Sequence, residues 1–405
     1  MIDSAYRHRF IARALLAYCV AMIVLMTVSP FRFDWPGYWK LTVFGDVDDT
    51  PVNFILFLPV GYFFRLAGPR HAPRGALHAL LFGAALSFTV EGLQLLLPAR
   101  LTAVFDFISN SLGAGAGAVL CDAIRRRLDR ELPAALALEH PLVNLAYLLL
   151  PLMWFAGTGI DHTPARAWLL APLGVIGVIA IVGLWRHRFA PAAHVTPAGL
   201  ALLVFGWFAF GAVSGLRAAP EIVAPCAAGA FALAFALARR GPRTHLPERR
   251  SEPRVLAAIW PWYVAYLVLL VLLPFGREFV PFASTLGYPQ YSFNRNYAIR
   301  MSEQIAALTL LGYLVSQSRG RARRGGRRSI AINVAAGAAC ALGLEVLHGF
   351  LPDDRASGAR WLLGTLGAGF GVMIYTMQLS LLRLLRGESV PSASAPGQAT
   401  PGVYR

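Results

Sequence analysis

The sequence predicts an all-α, polytopic transmembrane protein of about twelve spans. Three observations predict it. Of the 405 residues 57% are hydrophobic and only 14% are charged, whereas soluble domains carry charge on about a quarter of their residues. Apolar runs of about 17–25 residues, the length that crosses a bilayer core, recur from end to end. Arginine supplies every basic residue except Lys40, and it alternates between rich and poor connections along the chain.

The expected spans are 11–29, 52–67, 75–98, 104–124, 141–159, 167–185, 197–216, 221–238, 255–275, 298–316, 329–351 and 360–384. The first follows a basic start, Arg7, Arg9 and Arg13. It is too long for a signal-peptide core, has no small-residue cleavage site after it, and reads as an uncleaved span. The second is short and contains Pro59, so a kink or a partly re-entrant course is expected there. The tail after Gly387, rich in Ser, Pro, Gly and Ala, has the composition of a disordered segment.

The two termini and every second connection hold 27 of the 37 basic residues. By the positive-inside rule both ends then lie in the cytoplasm, with the chain in the bacterial inner membrane. The net charge of +16 therefore marks cytoplasmic loops, and no nucleic-acid partner is expected. Cys19, Cys121, Cys226 and Cys340 are far apart and have neither metal nor redox spacing. No cofactor and no metal is expected.

The chain repeats itself at long range. The stretch beginning EGLQLLLPARL at Glu91 aligns without gaps with EVLHGFLPDDR at Glu345, at an offset of 254. Glu91 meets Glu345, Gln94 meets His348, Pro98 meets Pro352, Gly113 meets Gly367 and Gly117 meets Gly371. Upstream, NFILFLPVGY from Asn53 aligns with QIAALTLLGY from Gln304. Both copies start from the same side, so the repeat is parallel. The expected division is a four-span unit over 1–130, a middle four-span region over 131–250, a second unit over 251–387 and the tail 388–405.

Ionisable groups inside spans are functional candidates by default. Glu91 lies about two turns below the outer end of span 3, and Gln94 shares its face. Asp106, Asn110, Gly113 and Gly117 form one stripe on span 4, and Asn53 shares a face of span 2 with Phe57 and Gly61. Arg100 sits in the outer loop between spans 3 and 4. Glu91 and Asp106 are the candidate proton-transferring carboxylates. Asn53, Gln94, Arg100 and Asn110 are the candidate binding residues. Mutual hydrogen bonding that only pins helices is the competing reading. At the aligned positions Arg100 becomes Asp354 and Asp106 becomes Arg360, so each copy keeps one opposite-charge pair six residues apart. The sequence has no Gly-x-Ser-x-Gly elbow, no His-Glu-x-x-His pair and no phosphate-cradling loop.

At these residues the chain resembles the VanZ-like family of bacterial membrane proteins. The resemblance is carried by Asn53, Phe57, Pro59 and Gly61, then Glu91 and Gln94, then Arg100, Asp106, Asn110 and Gly113. Ala103 departs from the pattern, in which an acidic residue is common. The second copy keeps Glu345, Pro352 and the glycines but not the Asn, Gln and Asp positions, and so resembles a degenerate VanZ-like unit. The resemblance implies an envelope role. The name-giving member is associated with glycopeptide resistance, and relatives accompany exopolysaccharide or cell-surface gene sets. No biochemical activity is agreed for the family.

The expected function is binding or modification of an envelope lipid, or of a glycan-linked lipid precursor, at the outer face of the membrane. A transporter or flippase is one alternative, since repeated halves suit alternating access. Against it, the cytoplasmic half of the spans shows no polar path. A non-catalytic assembly factor for envelope or exopolysaccharide machinery is the other.

Overall fold

The computed structural model describes residues 4–28, 33–35, 41–43, 49–69, 74–97, 102–131, 141–186, 195–241, 248–273, 278–287, 295–320, 327–352 and 354–385. Among them are thirteen α-helices and no extended sheet. Helices α1 (Ser4–Val28), α2 (Asp49–Ala67), α3 (Gly75–Leu95) and α4 (Val104–Glu131) form the first unit. The middle region holds α5 (Pro141–Thr158), α6 (Leu170–Leu184), α7 (Pro197–Gly211), the short α8 (Val213–Ala218) and α9 (Pro220–Arg239). The second unit is α10 (Glu248–Leu272), α11 (Arg295–Gly320), α12 (Arg327–His348) and α13 (Gly358–Leu385). The tail 388–405 lies outside the described residues.

Each expected span has a helix, and the differences have local causes. Span 7 breaks at Ala212, which leaves the helical region at φ −101° and ψ 10°, so α7 and α8 are separate. Thr196 caps α7 by accepting from the Gly199 amide at 3.1 Å, with Pro197 at the first helical position. Before α6 the chain takes a 3₁₀ turn, Pro164–Leu169. Helix α2 runs as one element through Pro59.

Ten helices are long and apolar enough to cross a membrane. Helix α7 is apolar but only 15 residues long. Helix α11 falls outside the ten, because polar residues recur along it. It is nonetheless among the most buried helices: Ser302, Glu303, Thr309, Tyr313 and Leu314 are at most 1% exposed. It packs against α5 and α13, and α1 packs across the two units, with Tyr18 stacked on Phe370 at 5.4 Å between centroids.

The aligned halves make the same contacts. A Cβ on Gly61 would overlap the carbonyl oxygen of Ala114, and one on Gly312 would overlap that of Ala368. Gly117 faces the Leu58 carbonyl as Gly371 faces that of Thr309. At these crossings backbone lies against backbone, which only a residue without a side chain permits. The non-helical ends repeat as well. Two-residue parallel strand pairs join 41–42 to 102–103 and 284–285 to 356–357, the second partners again 254 apart. Counting helices alternately up and down puts both pairs, and the 3₁₀ turn before α6, at one end of the bundle.

Candidate functional site

The strand-bearing end of the first unit gathers the polar side chains expected from sequence. Glu91 and Gln94 are buried on the last turns of α3, at 8% and 9% exposure. Thr102, on the short strand, donates to the Glu91 backbone carbonyl at 3.3 Å, which ties the start of α4 to the end of α3. Gln94 Nε2 donates to the Thr27 carbonyl at 3.1 Å and so ties α3 to the end of α1. Asn110 is 4% exposed and donates from Nδ2 to Ser87 Oγ at 2.9 Å. Its Oδ1 has no partner among the described residues. Ser109 donates to the Thr50 carbonyl at 2.5 Å, closing α4 on α2. Asp106 and Asn53 are half-buried, in the first turn of α4 and near the start of α2. Arg100 lies outside the described residues. The structure thus places five of the six expected residues at one end of one four-helix unit. Hydrogen bonds tie Gln94 to α1 and Asn110 to α3, and the Glu91 carbonyl accepts from the connecting strand.

Alongside this unit runs an apolar groove of about 550 Å³, bounded by α1, α2, α4, α5 and α7. Met22, Met26, Ile55, Phe155, Trp207 and Phe210 are among its lining residues. The hydroxyls of Tyr62 and Tyr147 at its wall are hydrogen-bonded to each other at 2.9 Å. Towards the opposite end of the unit, Arg65 pairs with Asp122 at 2.9 Å and Arg125 donates to the Arg65 and Leu66 carbonyls.

The second unit holds a denser polar cluster at its own strand-bearing end. Gln304, aligned with Asn53, donates to Glu345 Oε1 at 2.8 Å; Glu345 is aligned with Glu91. Ser357 N donates to Glu345 Oε2 at 2.9 Å. Arg360 Nε reaches both oxygens of Glu345, and its Nη1 reaches both of Asp354. The opposite-charge pair expected six residues apart is therefore formed in this copy. His348 Nδ1 lies 3.0 Å from Asp354 Oδ2, an ion pair when the imidazole is protonated. Burial works against ionisation of Asp354, but the His348 hydrogen bond and the Arg360 charge outweigh it and hold its pKa at about 2.

Next to this cluster is a pair that sequence reasoning missed. Arg166, from the 3₁₀ turn, forms an ion pair with Glu303 on α11, 4% and 0% exposed respectively. Tyr266 on α10 donates to the other Glu303 oxygen at 3.3 Å. Glu303 was open to detection as an acid inside span 10. Arg166 was not, since it lies 137 residues away in what reads as a loop. Among the described residues no group of three or more His, Cys, Asp or Glu could hold a metal ion.

Buried polar clusters capping long apolar helices define a polytopic α-helical membrane protein. Residues 14–125 match the family model described as VanZ/LLP1. The first four-helix unit is accordingly VanZ-like, over a match that spans well under half of the chain. No curated protein and no solved structure matches.

Proposed function

We propose that this membrane envelope-associated protein binds an envelope lipid, or a lipid-linked glycan precursor, at the outer face of the inner membrane. The groove beside the VanZ-like unit carries the reading. Its 550 Å³ falls within the range of ligand sites, about 300–1,000 Å³. Its lining offers hydrocarbon, and its two tyrosine hydroxyls already satisfy each other, so an acyl chain suits it and a polar ligand does not. Its rim at Met26 and Ile55 adjoins Thr27, which receives Gln94, and Asn53. A lipid chain lying there brings its head towards Glu91, Asn110, Asp106 and Asn53, with Arg100 in the adjoining loop. In this reading Glu91 and Asp106 accept hydrogen bonds from head-group hydroxyls or exchange a proton with them.

Gly206 supplies the direct test, because it lines the groove and a Cβ there meets nothing within 4 Å. Gly206→Leu should fill the groove without disturbing the fold and should deplete the lipids that co-purify with the protein, read by native mass spectrometry. Glu91→Ala, Asp106→Ala and Asn53→Ala should abolish the envelope phenotype while the protein still inserts. A Gly206→Leu protein carrying the same lipids as wild type would sink the proposal. Comparing envelope lipids of a deletion strain with its parent then separates modification from binding.

One observation favours the transporter alternative. The sequence reading expects no polar path in the cytoplasmic half, yet buried Ser316, Gln317, Asn333 and Gln378 lie on the α11, α12 and α13 segments towards that end. Accumulation of labelled lipid-linked glycan in vesicles tests it.

A further inference from the structure

The connection between the first two helices of each unit is clipped to the protein in the same way. In the first unit the Asp34 amide donates to the Leu96 carbonyl at 2.9 Å, and the Phe105 amide donates to the Val43 carbonyl at 3.2 Å. In the second the Val280 amide donates to the Phe350 carbonyl at 3.0 Å, and the Ala359 amide donates to the Leu286 carbonyl at 3.1 Å. Leu96 and Phe350, like Phe105 and Ala359, are 254 residues apart, the offset of the repeat. Between the clips lie the two-residue strands. In the second unit the Ala283 amide also donates to the Gly349 carbonyl, and the Ala283 carbonyl accepts from the Ala356 amide. The Gly287 carbonyl accepts from the Ser357 hydroxyl at 2.8 Å. Much of the backbone polarity of these non-helical segments is thus satisfied inside the protein.

The side chains of the same segments are apolar and exposed. Phe33 and its counterpart Phe279 each precede the first clip, and both are exposed. Val43 and its counterpart Leu286, at the second clip, are 59% and 94% exposed. Trp35 and Phe282 are exposed beside them. Residues 278–287 include a single charged residue, Glu278. These side chains continue the faces that the spans turn to lipid. Phe105, clipped to Val43, begins the exposed stripe Phe105, Ile108 and Leu112 on α4. Phe282 meets Phe350 at 5.3 Å between centroids, and Phe350 continues the exposed line of Leu342 and Val346 on α12. Contiguous exposed apolar surface marks a contact with protein or membrane, and its continuity with the lipid-facing stripes selects the membrane.

We propose that these two connections are anchors embedded in the membrane interface, with Phe33, Trp35 and Val43 of one and Phe279, Phe282 and Leu286 of the other inserted among lipids. The partner is the leaflet itself, the outer one in the orientation argued from the arginines. Irregular backbone is kept out of lipid by its unsatisfied amides and carbonyls, and the clips remove much of that obstacle. The depth is the boundary between head groups and acyl chains, where aromatic side chains settle. The two segments share little sequence, yet each keeps a phenylalanine before one clip and an aliphatic residue at the other. The polar ends of both units then open into the leaflet at head-group level rather than into bulk water.

The test uses full-length protein with its four native cysteines replaced by alanine. It is spin-labelled singly at Val43→Cys, Phe279→Cys or Leu286→Cys and reconstituted in vesicles of phosphatidylethanolamine and phosphatidylglycerol. All three positions are exposed, so the exchange should leave the fold intact. The readout compares nitroxide collisions with oxygen, which partitions into lipid, and with a nickel chelate, which stays in water. Leu202→Cys, exposed on α7, is the lipid reference, and Arg240→Cys, exposed just beyond α9, is the aqueous one. At all three anchor positions oxygen should exceed the chelate, as at Leu202. A label at Val43 or Leu286 that favours the chelate, as at Arg240, overturns the proposal. Dipolar broadening between labels would show a second copy over the patch and overturn the assignment to lipid. The groove reading rests on the lipids that co-purify with Gly206→Leu, so the two can fail separately.

Discussion

Arg360 holds two carboxylates at once: its Nε is 2.8 and 2.9 Å from the oxygens of Glu345, and its Nη1 is 3.1 Å from both oxygens of Asp354. Its Nη2 also donates to the Arg355 carbonyl at 2.9 Å. With Arg360 5% and Glu345 2% exposed, removing the guanidinium strands a buried carboxylate. Such a loss costs about 3–5 kcal/mol, whereas replacing both partners is far milder. Arg360→Met should lower the stability of detergent-extracted protein by that amount, and adding Glu345→Gln should recover more than half. A double-mutant cycle reads the coupling, and strictly additive losses would mean that the pair contributes nothing.

Asp354 sets an acid limit on the same corner. Its folded pKa of about 2 lies below the ordinary 3.8, so the carboxylate is stabilised by folding. That contribution is complete above the ordinary value and is lost as the pH falls through the folded one. The shift corresponds to about 2 kcal/mol. Wild-type stability should drop over that window, and Asp354→Asn should remove this part of the pH dependence. A variant profile that parallels wild type would assign the acid sensitivity to other groups.

The glycine crossings separate tolerated from forbidden alanines. Gly61→Ala and Gly312→Ala press a methyl group onto backbone carbonyls that cannot move independently. Overpacking of this kind typically costs about 1–3 kcal/mol. Gly92→Ala and Gly343→Ala meet nothing within 4 Å and should be neutral or gain up to about 1 kcal/mol of helix propensity. Melting temperatures of the four variants decide the matter.

Orientation is open to reporter fusions. Fusions after Arg130, Arg250 and Arg327 should report cytoplasm, and those near Asp46, Asp161 and Tyr288 the external side. A cytoplasmic signal near Tyr288 would overturn the assignment of both polar corners to the outer face.

The helices were legible because apolar length is a local property, and three of them begin at a proline, Pro141, Pro197 and Pro220, which fits the first helical position. Glu91, Gln94 and Asn110 were legible as polar residues placed where lipid forbids unpartnered ones. Their actual partners, the Thr27 carbonyl and Ser87, were not, because helix rotation is fixed by packing. The two-residue strands are too short to show alternation. The Arg166–Glu303 pair escaped because neither residue has a local sequence neighbour that betrays the other. Reading the second unit as degenerate followed from the missing motif residues. The structure shows Arg360 and Gln304 engaging the retained Glu345, so a different set of side chains fills the same place.

The polarity of α11 bears on how the protein is made. A charged residue within a membrane helix weighs against its insertion, and α11 brings Arg300 and Glu303 within four residues in its outer portion. Arg166, the countercharge of Glu303, lies 137 residues earlier and is translated first. The middle region thus supplies the cation that Glu303 meets in the folded protein. The C-terminal half produced alone lacks the cation that receives its least lipophilic helix.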